Sequence, residues 1–212
     1  MACPICQKRK TQRFCPARGD DICSVCCGTE REVTIDCPSD CPYLMASRPY
    51  DLARRKFDWS KLPFADVKIP ASFAHGHVPL LNALSYAICF FARGNSQTVD
   101  SDALASLQTL AESYQTLSSG LYYEKPPDHR LQRELYDRLK AAIEEYKQAD
   151  AREAGAGAVR DGDIRDALIF FTQLGATYFN GRPKGRAFLD LLRSQIKSED
   201  IAKPTSNIVL LP

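Results

Sequence analysis

The sequence predicts a mainly α protein: a small N-terminal two-zinc module followed by a four- or five-helix bundle. Three observations carry that prediction. Of the nine cysteines, all but Cys89 fall before residue 42. From residue 77 onward, helix-sized segments with apolar residues every three or four positions follow one another. No strand-length alternating run competes with them. The domains drawn on this basis are residues 1–48 as a zinc-binding module, 49–76 as an extended connector packed on the domains, and 77–212 as an α-helical domain.

Composition excludes several classes. With 212 residues, 44% hydrophobic and 25% charged, and 28 Lys+Arg against 26 Asp+Glu, the chain has the balance of an ordinary globular protein. Leu80 to Ala92, the longest apolar candidate, is broken by Asn82 and Ser85 and is too short for a membrane span. The first residues carry no apolar stretch ahead of a small-residue cleavage site, so a cytoplasmic chain is expected. In such a reducing compartment, clustered Cys pairs read as metal ligands rather than disulfides.

The module is read from its spacing: Cys3-x2-Cys6-x8-Cys15-x7-Cys23-x2-Cys26, then Cys27, and finally Cys37-x3-Cys41. A Cys-x2-Cys turn aims two thiolates at one ion, and Zn2+ takes four such ligands in a tetrahedron. Cys26 and Cys27 are adjacent, and consecutive side chains of extended backbone point to opposite sides, so they serve different ions more easily than one. The first zinc is therefore assigned Cys3, Cys6, Cys23 and Cys26, and the second Cys15, Cys27, Cys37 and Cys41, with Cys26 and Cys27 interchangeable. No His precedes residue 75, and all eight thiolates are committed, which marks both ions as structural rather than catalytic. Some forty residues bury too little apolar surface to fold alone, and a structural zinc supplies on the order of 10 kcal/mol.

The stretch CPICQKRKTQRFCPARGDDICSVCCGTEREVTIDCPSDC, residues 3–41, resembles a B-box type zinc finger, most closely in RFCPARGDDICSVC. The resemblance implies a cross-braced two-zinc topology. B-box fingers usually mix His and Asp with Cys, whereas this array is satisfied by Cys alone.

The remaining elements follow in order. Tyr43, Leu44, Tyr50, Leu52 and Ala53 suggest a short helical turn interrupted by Pro49. Residues 57–74 combine prolines with Trp59, Phe64, Val67 and Ile69, an extended segment too apolar to hang free. Helices are expected over about 78–93, apolar nearly all round and hence central, and over about 99–118 and 128–153. The last of these carries a stripe of Leu131, Leu135, Leu139, Ile143 and Tyr146. Beyond a Gly-rich break, Asp161 or Asp163 caps a helix over about 163–180, and a final helix covers about 185–197. The tail KPTSNIVLLP is expected to lie extended against the bundle, and Cys89 to be a buried thiol.

Outside the cysteines the signals are weaker. His75-Gly76-His77 reads as a loop or helix-capping feature, and His129 as a surface residue at a helix start. In the turn NGRPKGRAF, Arg182, Lys184 and Arg186 sit near the N-terminus of the last helix, where free N–H groups attract anions. Those three, with Lys8, Arg9, Lys10 and Arg13 of the module, are candidates for anion or partner binding. The functional expectation is an intracellular zinc-binding interaction or adaptor protein whose helical domain binds a protein partner. The alternative is nucleic-acid binding through these clusters and Arg54-Arg55-Lys56, opposed by the nearly equal acidic count. Without a nucleophile motif, phosphate loop or carboxylate constellation, an enzyme has no mechanism to name.

Overall fold

The computed structural model describes residues 1–118, 120, 123–154 and 158–196; the tail KPTSNIVLLP lies outside the described residues. The chain opens with a two-stranded antiparallel hairpin, β1 (Arg13–Cys15) and β2 (Asp20–Ile22), pairing Arg13 with Ile22 and Cys15 with Asp20. Its turn closes with the Gly19 N–H donating to the Cys15 carbonyl at 2.9 Å, and Gly19 sits at φ 70, which costs glycine least. Three-residue strands are too short to print an alternation, so the sequence pattern did not announce them. Helix α1 (Ser24–Glu30) follows at once, and α2 (Pro42–Arg54) begins after Cys41 with proline in its first turn.

Helix α2 runs straight through Pro49, correcting the expected interruption there and the connector boundary at residue 49. Pro49 and Met45, one turn back, are both exposed, so the carbonyl that loses its N–H partner lies on the solvent side. The connector proper starts at Arg55. Its Phe64, Val67 and Ile69 pack on the helical core, and Gln173 Nε2 donates to the carbonyls of Phe64 at 3.0 Å and Pro63 at 3.3 Å. Trp59 instead stays 68% exposed, meeting the Phe57 ring edge-on at 4.8 Å.

The helical domain consists of a single turn α3 (Phe73–Gly76) and five helices: α4 (Val78–Gly94), α5 (Asp100–Ser118), α6 (Arg130–Ala154), α7 (Asp161–Tyr178) and α8 (Ala187–Gln195). The α6 stripe forms as spaced: Leu131, Leu135, Leu139 and Ile143 are buried. Two helices share the centre: α5 packs along α7 and α6 and touches α8, and α4 lies on α6, α8 and α7, burying Leu80, Leu84 and Ile88 while Phe90 and Val78 stay exposed. Small buried residues on α5, Ala103, Ser106 and Ala111, let its neighbours approach. On α7, Gly175 does the same, since a Cβ there would meet Leu104 Cδ2 at 2.6 Å. The N-terminus of α7 is closed by Asp163 Oδ2, which accepts the Arg160 N–H at 3.1 Å. Among the described residues, no helix is long and apolar enough to cross a membrane.

Candidate metal centre

Three local structures aim sulfur at one point. The first is the turn holding Cys3 and Cys6. Cys3 N–H donates to the Arg9 carbonyl and Gln7 N–H to the Cys3 carbonyl, both at 2.7 Å, and Gln7 takes a left-handed φ of 53. That curl points the N–H groups of Lys8 and Arg9 at the Cys6 sulfur and pulls its pKa down to about 6. The second is the β1–β2 hairpin, which carries the chain back so that Cys23 leaves β2 beside the first turn. The third is the start of α1, where Cys23 is the capping residue and its sulfur accepts the Cys26 N–H at 3.4 Å. The Cys23 N–H in turn donates to Cys3 Sγ at 3.3 Å. Burial pushes the Cys3 thiol up, but N–H donors from Cys23, Cys6 and Ile5 outweigh it and leave its pKa lowered.

The sulfurs of Cys3, Cys6, Cys23 and Cys26 all lie within 4.8 Å of one another, with Cys6 and Cys23 at 3.9 Å. Zinc–sulfur bonds of about 2.3 Å in a tetrahedron place sulfurs roughly 3.8 Å apart, so the set fits one zinc ion with no open position. The electrostatics agree. Burial and the neighbouring sulfurs push Cys26 up to about 12, the response of a fourth thiol asked to ionise among three others. A divalent cation removes that repulsion. Ile22 and Ile35 complete the small core around the cysteines.

The second quartet does not converge in the same way: among the described residues, only the first set brings its sulfurs together. Cys15 ends β1, Cys27 lies in α1, and Cys41 caps α2. Burial raises the Cys37 pKa against an N–H from Glu32, and the charges of Cys41, Glu32 and Cys15 push it the same way. Cys15, Cys27 and Cys37 border the same small core, and the Cys27 sulfur accepts from Arg13 Nη1 at 3.7 Å.

The basic turn after α7 has its partners inside the chain. Arg182 Nη1 donates to the Arg31 carbonyl and to that of Gly28 at 3.3 Å, satisfying the C-terminal end of α1. Lys184 gives its N–H to the Glu32 carbonyl at 2.9 Å and its Nζ to the Thr34 carbonyl at 2.7 Å. Arg186 pairs with Asp36 and also donates to the carbonyls of Ser96 at 2.9 Å and Thr98 at 3.0 Å. The groups that the sequence offered to an external anion are therefore occupied: they clamp residues 28–36 of the module onto the helical domain. Arg13 is engaged too, lying 4.8 Å over the Tyr43 ring. Lys8, Arg9 and Lys10 remain exposed on the first turn.

Sequence reasoning missed the rest of this junction. Asn180 Nδ2 donates to Glu32 Oε2 at 2.7 Å, Arg48 Nη2 reaches Asp190 Oδ2 at 2.5 Å, and Ser39 Oγ donates to Asp190 Oδ1 at 2.7 Å. Partners more than 140 positions apart leave no spacing signal. The histidines are ordinary: His77, the residue before α4, has Nδ1 3.0 Å from the Phe73 carbonyl of α3, and His129 lies 3.8 Å from Asp102. Cys89 is buried, and its thiol is raised by burial to about 11. Comparison with family models, curated proteins and solved structures found no match.

Proposed function

We propose that this chain is a cytoplasmic zinc-binding interaction or adaptor protein, with structural zinc in the N-terminal module and a helical domain that binds a protein partner. The observation that carries it is the closed four-thiolate set on a module clamped to the bundle. A zinc with no free position holds shape rather than performing chemistry, and the clamp makes module and helices one continuous surface. A second zinc, on Cys15, Cys27, Cys37 and Cys41, would complete a cross-brace like that of B-box fingers. What supports it is that Cys15, Cys27 and Cys37 border one small core. Native mass measurement tests the metal: two zinc ions per chain are expected, and one ion, or eight freely alkylated thiols in the folded protein, rejects the two-zinc assignment. Affinity purification tests the rest: a protein recovered in constant ratio with the zinc-loaded chain, and lost on chelation, is expected.

One observation favours nucleic acid as the second reading. Arg54 lies 4.4 Å over the Tyr50 ring and Arg55 5.4 Å over Phe57, next to the exposed Trp59. Cations interleaved with aromatic rings suit single strands. Against it, Arg13, Arg182, Lys184 and Arg186 are engaged within the chain, and so is Arg55, which donates to the carbonyls of Thr177 at 3.0 Å and Ala176 at 3.3 Å. Fluorescence anisotropy with single-stranded RNA decides: binding that weakens steeply with salt would replace the adaptor reading.

A further inference from the structure

Helix α4 turns one side to solvent: Val78, Asn82, Tyr86 and Phe90, spaced by four, are exposed, while Leu80, Leu84 and Ile88 are buried. Val78, Tyr86 and Phe90 are 47%, 36% and 54% exposed. Side chains of that size, about half open, leave on the order of 300 Å² of apolar surface, short of the roughly 800 Å² per side that a stable interface between two chains buries. The stripe is also uncharged, since no Asp, Glu, Lys or Arg occurs from Val78 to Ala92. It therefore suits a short apolar segment that arrives on a tether.

Such a segment lies within reach. Helix α8 runs back along α4: Arg186, just before α8, donates to the Ser96 and Thr98 carbonyls beyond the end of α4, and Arg193, in the last turn of α8, donates to the Ala92 carbonyl at 3.5 Å. The chain thus leaves α8 beside α4. Residues 197–212 follow, outside the described residues. Their charges, Lys197, Glu199, Asp200 and Lys203, all precede Pro204, and the remainder, PTSNIVLLP, carries Ile208, Val209, Leu210 and Leu211 in a row. From Lys197 to Asn207 the chain can extend about 36 Å, twice the roughly 18 Å of helix between Val78 and Phe90. A tether of this length holds the segment at about millimolar effective concentration, so it competes ahead of a dilute free chain. We propose that Ile208 to Leu211 folds back onto α4 and covers Val78, Tyr86 and Phe90 as a strap. A partner protein using this face would first have to displace it, so the strap goes beyond the adaptor reading and does not depend on it.

The test is NMR of the zinc-loaded full-length chain. Nuclear Overhauser contacts from the methyls of Ile208, Val209, Leu210 and Leu211 to the rings of Tyr86 and Phe90 are expected, and samples mixing labelled with unlabelled chain should show that they arise within one molecule. Phe90→Asp, at an exposed position, removes apolar area and sets a charge against the segment. The ratio of docked to free tail should then fall about tenfold, with the tail amide shifts moving to random-coil values while the bundle resonances away from α4 stay in place. Leu210→Asp should move the Tyr86 and Phe90 resonances from the other side of the contact. Tail amides already at random-coil positions in the wild type, or tail shifts unmoved by Phe90→Asp, overturn the proposal. So do contacts seen only between labelled and unlabelled chains, which would assign the face to a second copy.

Discussion

Arg186 of the helical domain and Asp36 of the cysteine module form an ion pair across the junction, and the arginine is far better sheltered than its partner: their side chains are 11% and 54% exposed. The carboxylate is thus the smaller part of what Arg186 holds. Exposed pairs contribute under about 1 kcal/mol, while hydrogen bonds from a charged donor contribute roughly 1.5–3 kcal/mol, and Arg186 makes one to the Thr98 carbonyl in a half-buried setting. Asp36→Asn should accordingly cost less than about 1 kcal/mol in a urea melt and Arg186→Ala about 2–3 kcal/mol. Equal losses would show that the ion pair dominates.

Removing the metal should loosen the module before the bundle. Chelation, or Cys23→Ser, is expected to abolish zinc binding and the dispersion of module amide resonances while far-UV helicity mostly persists. The bundle would still lose the clamp made by Arg182, Lys184 and Arg186. Its melting temperature should fall by several degrees, at about 2–4 °C per kcal/mol for a domain of this size. Simultaneous loss of all helical signal would mean that the two parts share one cooperative unit.

Gly175 and Gly162, both on α7, should respond oppositely to alanine. At Gly175 the new methyl meets Leu104 Cδ2 at 2.6 Å and the Phe188 ring at 3.1 Å, so Gly175→Ala should destabilise by about 1–3 kcal/mol. At Gly162 nothing lies within 4 Å, and Gly162→Ala should stabilise by up to about 1 kcal/mol through helix propensity. Denaturant midpoints check both.

Asp100 sets a pH dependence. It is fully buried, and burial pushes its carboxyl up to about 7 against the N–H groups of Phe188 and Leu189, which it accepts at the start of α8; Asp190 and Glu32 add to the rise. A folded value above the unfolded one means the native state holds the proton more tightly. The contribution is therefore full below the ordinary value of 3.8 and is lost as pH rises through about 7. Melts of wild type and Asp100→Asn across pH 4 to 8 should differ in slope, the variant being flatter. Parallel curves would show that Asp100 does not titrate in this window.

How much of this was legible depends on the distance between partners. Leu131, Leu135, Leu139 and Ile143 meet one face of one helix, so spacing alone announces their burial. Cys3, Cys6, Cys23 and Cys26 are also local, because two short turns and a hairpin carry them together. The basic turn misled for the complementary reason. Arg182, Lys184 and Arg186 look like an anion site when only their neighbours are visible, and their actual acceptors are carbonyls about 150 positions earlier. The Glu32–Asn180 and Arg48–Asp190 contacts carry no motif, since their partners lie more than 140 positions apart. Pro49 was over-read: proline stops a helix where its lost bond is buried, and at an exposed position it does not.

That separation of about 150 residues also orders events in time. A ribosome adds residues from the N-terminus, so the cysteine module is complete and able to take its metal long before Asn180 to Arg186 exist. Until then the carbonyls at the end of α1 face water, and the module is tethered to the growing helices only by the connector. Docking therefore waits until that segment has been made. A chain that terminated before residue 180 would present a finished metal module that never closes onto its bundle.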